Sequence, residues 1–187
     1  VHGYSERETQ RLYEQADILE DILHTGTAYP AEARVLEAGC GVGGQTRFLV
    51  KRSPDALFTC IDVSEKSLAT AQRLKAQAGF SHVFFQREDI QHLGFANQSF
   101  DHVFVCFVLE HLDDPVGALV ELKRVLAPGG TITVIEGDHG SCFWHPETPA
   151  SLAAWNGLIT AQRKIGHDPN IGRRLTPLLT EAGYDVQ

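Results

Sequence analysis

The chain has 187 residues, of which 43% are hydrophobic and 21% charged, enough for one domain whose core needs no disulfide staple. Its formal net charge of -8 excludes the Lys- and Arg-driven phosphate grip of a nucleic-acid partner, and the doublets Lys51-Arg52 and Arg173-Arg174 read as solvated helix ends. No apolar run approaches the roughly 20 residues of a membrane span and no signal peptide opens the sequence, so a cytoplasmic protein with no membrane partner is expected.

Cys40, Cys60, Cys106 and Cys142 form no C-x-x-C pair, and the first three lie in apolar strand or turn contexts suited to reduced, buried thiols. The sequence contains no Met and begins at Val1, which reads as a segment of a longer protein.

The first 25 residues predict a helix with a capping box, Ser5 as N-cap and Glu8 three positions on. Leu12, Ala16, Leu19 and Leu23 give it one apolar face. Tyr4 and Tyr13 are candidates for a segment that closes over a ligand.

Val35 to Gly44 then reads as a buried strand running into a glycine-rich turn, with a helix from Gln45 to Lys51 behind it. Such a turn needs residues without Cβ, so that a ligand can lie against bare backbone. Gly39, Gly41 and Gly44 satisfy G-x-G-x-x-G, the dinucleotide fingerprint, which alone is weak. Glu37 argues against a pyrophosphate there, because an acid half-buried at a strand end calls for a cation or a hydrogen-bond donor.

The alternation βαβα continues, the pattern of a doubly wound parallel sheet. Strand two is Ala56 to Ile61, ending in Asp62, about twenty residues past the turn, where a carboxylate can take both hydroxyls of a ribose. NAD-binding folds place an acid there too, so Asp62 marks a nucleoside without saying which. Ser64 caps a helix with Leu68, Ala71, Leu74 and Ala78 inward, stopped by Gly79.

Strand three is His82 to Gln86, and Asp89 follows it as either a ligand contact or a cap of the next turn. Phe100 to Val108 reads as strand four, a nearly unbroken apolar run suited to burial on both faces. Asp114 with Pro115 starts a helix to Leu126. Pro128-Gly129-Gly130 reads as a turn and Thr131 to Glu136 as strand five.

Ligands of open α/β sheets bind beyond the carboxyl ends of the strands, so Phe107, Glu110, His111, Gly137, Asp138 and His139 should face that region. His111 and His139 are the candidate bases, since imidazole titrates near neutrality. His139, Cys142 and His145 could be assembled into a metal site, but the spacing lacks the logic of a ligand set and no metal is expected.

Thr148-Pro149 opens a helix to about Lys164, with Leu152, Trp155, Ile159 and Gln162 along one side. Phe143 and Trp144 are either core or aromatic surface for an acceptor pocket. A last helix runs from Gly172 to Ala182 with Gly183 as C-cap, and Tyr184 to Gln187 reads as the start of another strand.

Glu37, Gly39, Gly41 and Gly43 occupy the four fixed places of (Asp/Glu)-x-Gly-x-Gly-x-Gly. With this motif, and with Glu110-His111-Leu112-x-Asp114-Pro115 and Leu126-Ala127-Pro128-Gly129-Gly130 in order behind it, the chain resembles the class I S-adenosylmethionine-dependent methyltransferases from Ala33 to Glu136. The resemblance implies a Rossmann-like three-layer α/β/α fold, mostly parallel, in a single domain of residues 1-187. Within it residues 1-30 would be an N-terminal helical segment, 31-138 the cofactor core, and 139-187 substrate-side helices with the C-terminal strands incomplete.

The implied cofactor is S-adenosyl-L-methionine, its methionine end at Glu37 and beside Phe107, its backbone side along Gly39 to Gly43, its ribose at Asp62 and its adenine at Asp89. The implied partner is a small-molecule methyl acceptor, handled by a monomer or homodimer. An NAD(P)-dependent oxidoreductase and a non-catalytic cofactor-binding protein remain the alternatives.

Overall fold

A computed structural model describes residues 6–187, with Glu6 described by its backbone alone. Ser5 and Tyr4 lie outside the described residues. Helix α1, Glu6–Leu23, is followed by β1, Arg34–Ala38, α2, Thr46–Arg52, β2, Leu57–Asp62, and α3, Glu65–Ala78. Then come β3, Val83–Arg87, β4, Phe100–Cys106, α4, Pro115–Val125, β5, Leu126–Ile135, α5, Pro149–Lys164, and α6, Leu175–Glu181.

The five strands form one sheet in the order β3-β2-β1-β4-β5, with every pairing parallel. Strand order reverses between β1 and β4, and it is beyond the carboxyl ends of the strands at such a switch point that open α/β sheets bind their ligands. Alternate residues feed two cores, because side chains of a strand point to opposite faces. Leu36, Ala38, Val103 and Val105 pack with Ala118, Leu119 and Leu122 of α4 and Leu178 of α6. Val35, Phe58, Cys60 and Phe104 pack with Leu49 and Val50 of α2 and Leu68 of α3. The doubly wound, three-layer fold expected from the alternation is therefore present.

Several local expectations hold. Ser64 Oγ accepts from the Ser67 amide to start α3, and Gly79 ends it with φ +73°. Asp114 accepts from the Gly117 amide with Pro115 in the first turn, and Thr148 with Ser151 forms a capping box on α5.

Four expectations need correction. Strand β4 stops at Cys106, because Phe107 turns into left-handed backbone at φ +57° and a short 3-10 turn, Leu109–His111, follows. Strand β5 begins at Leu126, earlier than expected, and the Pro128-Gly129-Gly130 turn is an excursion inside it: Phe100 pairs with Leu126, yet His102 pairs with Thr131. In α3, Leu68 and Ala71 are buried while Ala78 is exposed, so the inward stripe is shorter than expected. Tyr184 to Gln187 are not a strand; Tyr184 instead donates its hydroxyl to the Leu119 carbonyl at 2.9 Å, which ties this segment to α4.

Helix α1 lies against the start of α2. Ala16 is buried, and Leu12, Leu19 and Leu23 are half-buried beside it. Buried His24 stacks on Phe104 with ring centroids 5.6 Å apart, and its two ring nitrogens lie 2.8 Å from Thr27 Oγ1 and Gln45 Oε1. Burial, acting more strongly than the bond to Gln45, pulls the His24 pKa down. No described helix is long and apolar enough to cross a membrane.

Candidate functional site

The glycine turn between β1 and α2 is held from below by Glu37. Its carboxylate is 2% exposed and accepts from Thr46 Oγ1 at 2.6 Å. Burial pushes the Glu37 pKa up to about 7, against the pull of the Thr46 hydrogen bond. In this geometry the acid ties the end of β1 to the first residue of α2.

The glycines of the turn differ in what their missing side chains accommodate. A Cβ on Gly39 would collide with the Val108 side chain, and one on Gly43 would press on Leu74 at 3.1 Å and Ala71 at 3.4 Å, both in α3. Those two serve close packing. Gly44 backs onto α1, with Ala16 Cβ 3.5 Å from where its Cβ would be. Gly41 alone of the four, at φ +54°, faces open space where another molecule can approach bare backbone.

Asp62, at the end of β2, sits beside that opening. Its Oδ2 accepts from the Gly41 amide at 2.9 Å and its Oδ1 from the Ser64 amide at 2.8 Å. Each carboxylate oxygen has a second lone pair, so the side chain can still accept from two hydroxyls. Asp89 is half exposed, and its Oδ1 accepts from the Gln91 amide at 2.9 Å, so it does cap its own turn. Its other oxygen, Oδ2, lies 3.8 Å from His92 Nδ1, and the side chain is 51% exposed.

On the opposite lip, the amide of Phe107 donates to the Ile135 carbonyl at 2.9 Å. The next two amides, of Val108 and Leu109, donate to Glu136 Oε1 at 2.8 and 2.7 Å. Glu136 thus fixes the unusual turn that carries Phe107 and presses Val108 over Gly39, and burial pushes its pKa up to about 7. A bulky residue at positive φ is strained, and such strain gathers at functional sites.

Beyond this lip lie Glu110, His111 and the segment after α5. His111 Nε2 is 3.4 Å from Glu110 Oε1, and its Nδ1 is 3.2 Å from His167 Nδ1. His139, in the short turn His139–Ser141, packs edge-on against Trp155 at 5.3 Å, and Trp155 Nε1 donates to its carbonyl at 2.8 Å. Trp144 contacts Trp155 in turn, at 5.9 Å, so these three rings form one wall. Phe143, by contrast, is 91% exposed and is neither core nor wall. Among the described residues no group of three or more His, Cys, Asp or Glu side chains could hold a metal ion.

Sequence reasoning missed Thr46, Glu136 as an anchor, and His167. Glu136 carried the same signal as Glu37, an acid closing an apolar strand. His167 carried none, because 56 positions separate it from His111.

The residues thus assembled fit S-adenosylmethionine: open backbone at Gly41, a carboxylate beside it at Asp62, and a buried acid beneath. A family model described as a methyltransferase domain matches residues 36–134. The chain is 33% identical to an uncharacterized methyltransferase, C1B3.06c, of Schizosaccharomyces pombe over 162 residues, 81% of this chain and 56% of the relative. Its fold matches a crystal structure of a SAM dependent methyltransferase from Aquifex aeolicus at a TM-score of 0.70 and 18% identity, covering 95% of this chain and 89% of the other. The crystal structure of the [4+2]-cyclase SpnF also matches at 0.70, with 25% identity, over 91% of this chain and 57% of that one. The chain spans little more than half the length of the yeast relative, and 43% of that of the methyltransferase GfsG of Streptomyces halstedii. The match over residues 36–134 decides between the two readings of the glycine turn: the chain belongs to the class I S-adenosylmethionine-dependent methyltransferases.

Proposed function

We propose that this chain carries the cofactor-binding core of an enzyme that transfers a methyl group from S-adenosylmethionine to a small-molecule acceptor. The observation that carries the reading is the juxtaposition at Gly41: backbone open to a ligand, its amide fixed at 2.9 Å by the same Asp62 carboxylate that can receive a ribose. The bound cofactor supplies an activated methyl on a sulfonium. The chain's residues supply alignment and exclusion of water, which are the main demands of a displacement at carbon.

In this reading Asp62 accepts from the ribose hydroxyls, Asp89 from the adenine amino group, and Phe107 lies beside the methionine moiety. Glu37 acts through its charge from beneath the turn, favouring the cationic methionine end. Gly39 and Gly43 shape the turn, and Gly41 bears the contact. His111 and His139, beyond the carboxyl ends of β4 and β5, border the acceptor, and the Trp144-Trp155 wall suits an apolar or aromatic small molecule.

Calorimetric titration with S-adenosylmethionine, S-adenosylhomocysteine and NAD, on the wild type and on Asp62→Ala, tests this. Binding of the first two, weakened at least tenfold (about 1.4 kcal/mol) by the substitution, is expected. Binding of NAD alone would overturn it. A second reading follows from the likeness to SpnF, named a [4+2]-cyclase: the same fold can serve other chemistry. Binding without methyl transfer to any member of a broad hydroxyl, amine, thiol and carbon-acid panel would favour that reading.

A further inference from the structure

Helix α1 is tied to the glycine turn by side chains, and one of the ties titrates near neutrality. Tyr13 Oη reaches the Val42 carbonyl, and Arg47 donates to the Gly44 carbonyl at 3.1 Å and to the Tyr13 carbonyl at 3.0 Å. His24, the residue after α1, is wholly buried and joins the same turn through Gln45, which lies between Gly44 and Thr46.

The protons of that contact can be counted. An amide oxygen only accepts, so His24 Nε2 carries a proton and donates to Gln45 Oε1 at 2.8 Å. In the neutral ring Nδ1 then holds the lone pair, which takes the Thr27 hydroxyl at 2.8 Å. Both ring nitrogens are satisfied without a charge. A second proton would land on Nδ1 and force the Thr27 hydroxyl to turn its hydrogen toward the His24 carbonyl, 3.4 Å away.

The surroundings also oppose that second proton. Phe104 of β4 stacks on the ring at 5.6 Å and Phe48 of α2 lies tilted at 5.5 Å. The charged groups that act on it are Glu20 of α1 and Arg52 of α2, in opposite senses, and Glu20 Oε1 already faces Lys51 at 3.5 Å and Arg52 at 3.7 Å. The segment after α1 brings only the uncharged Thr27. A buried imidazolium with no carboxylate in contact is costly.

Resting on the methyltransferase reading above, we propose that His24 is a positioning residue for the cofactor: neutral, it latches α1 to the glycine turn through Gln45, and protonated, it releases that latch and weakens the hold on S-adenosylmethionine. Gln45 is placed to pass the change on. Its carbonyl accepts from the Phe48 and Leu49 amides at the start of α2, and its neighbours are Gly44 and the Thr46 that holds Glu37 at 2.6 Å. Burial keeps His24 titrating below its ordinary 6.5, beneath the window in which Glu37 ionises. Coupling of this kind is reciprocal: if protonation weakens binding, the bound cofactor must hold the ring neutral to lower pH.

Long-range nitrogen–proton spectra of the histidine-labelled chain, titrated with and without saturating S-adenosylhomocysteine and assigned through the backbone, test this directly. The expected result is the Nε2–H tautomer at pH 7.5 and a His24 midpoint that moves to lower pH on binding, a coupling of about fivefold in affinity or more. A neutral His24 in the Nδ1–H form, or a midpoint unmoved by the bound ligand, overturns the proposal. His24→Gln keeps a donor for Gln45 and cannot be charged, so it should bind as tightly as the wild type at pH 7.5 and lose less affinity on acidification. Equal losses would also overturn it, since Glu37 is common to both chains; if the variant does not fold, the wild-type midpoints decide. Binding with an unmoved midpoint sinks this inference alone, and no binding sinks the methyltransferase reading and this inference with it.

Discussion

Thr46, the first residue of α2, donates its hydroxyl to Glu37 Oε2 across 2.6 Å in a space closed to water, where Glu37 is 2% exposed. The hydrogen bonds from Thr46 and from the Cys60 thiol do not offset the burial of a carboxylate charge, so Glu37, with its pKa pushed up to about 7, is only partly ionised at pH 7. The sequence-level expectation of a cation or a donor beside this acid is met here by the donor. The cation is the part assigned to the ligand.

Stability should follow from that acid. Its folded pKa, about 7, lies above the ordinary value of 4.5, so between these the folded chain binds more protons than the unfolded one. Stability from Glu37 is full below pH 4.5 and falls as pH rises through 7. Glu37→Gln keeps an acceptor for Thr46 and cannot ionise. The substituted chain should be more stable than the wild type at pH 8, by on the order of 2 kcal/mol, with the gap closing by pH 4.5. Thermal unfolding at both pH values checks this; equal differences at the two would refute it.

Much of this site could be read from residue order, and what could not has a physical pattern. Glu37, Asp62 and Asp89 each end or follow a strand, where an acid breaks an apolar run and stands out. The caps at Ser64, Asp114 and Thr148 were legible because a cap is a local hydrogen bond with a fixed offset. The end of β4 was not legible, because Phe107 has no intrinsic preference for φ +57°; its turn is imposed by Glu136, 28 positions beyond Val108. His167 was hidden for the same reason, since its meaning lies entirely in a partner brought to it by the fold. The distinction among the glycines was also tertiary: only the neighbours show that Gly39 and Gly43 pack while Gly41 stays open.

That distinction predicts two kinds of glycine variant. Gly39→Ala places a methyl on the Val108 side chain at φ +78°, so it should destabilise the fold, by roughly 2 kcal/mol, and weaken cofactor binding together with it. Gly41→Ala meets no protein atom and pays only the left-handed backbone term of about 1 kcal/mol. Its melting temperature should fall little while S-adenosylhomocysteine affinity drops by tenfold or more. A Gly41→Ala chain that melts normally and binds normally would show that no ligand lies against that backbone.

Helix α1 should affect the same turn from outside. Tyr13 Oη donates to the Val42 carbonyl at 2.9 Å, and Arg47 spans the junction, donating to the Tyr13 carbonyl at 3.0 Å and pairing with Asp17 at 2.7 Å. Tyr13→Phe removes one hydrogen bond to the glycine turn and leaves the ring in place. Losing a bond worth about 1 kcal/mol should lower S-adenosylhomocysteine affinity by a few fold, with global stability changed by no more than that. Calorimetry beside thermal unfolding distinguishes this from an α1 that is merely packed on the sheet, for which affinity would not move.

Cofactor binding should also release a proton. A ligand bearing a positive charge near Glu37 favours the carboxylate over the acid, so its pKa falls from about 7 on binding. Between pH 6 and 7 a fraction of the free chains hold that proton and must give it up, which makes binding tighter as pH rises through this window. The heat of binding S-adenosylhomocysteine should then depend on the ionisation enthalpy of the buffer, with a release of up to one proton near pH 6.5. Glu37→Gln should abolish the buffer dependence and weaken the affinity, while Asp62→Ala should weaken the affinity and leave the release in place. If both variants kept the wild-type release, the proton would come from another group, and the charge of Glu37 would have no part in holding the cofactor.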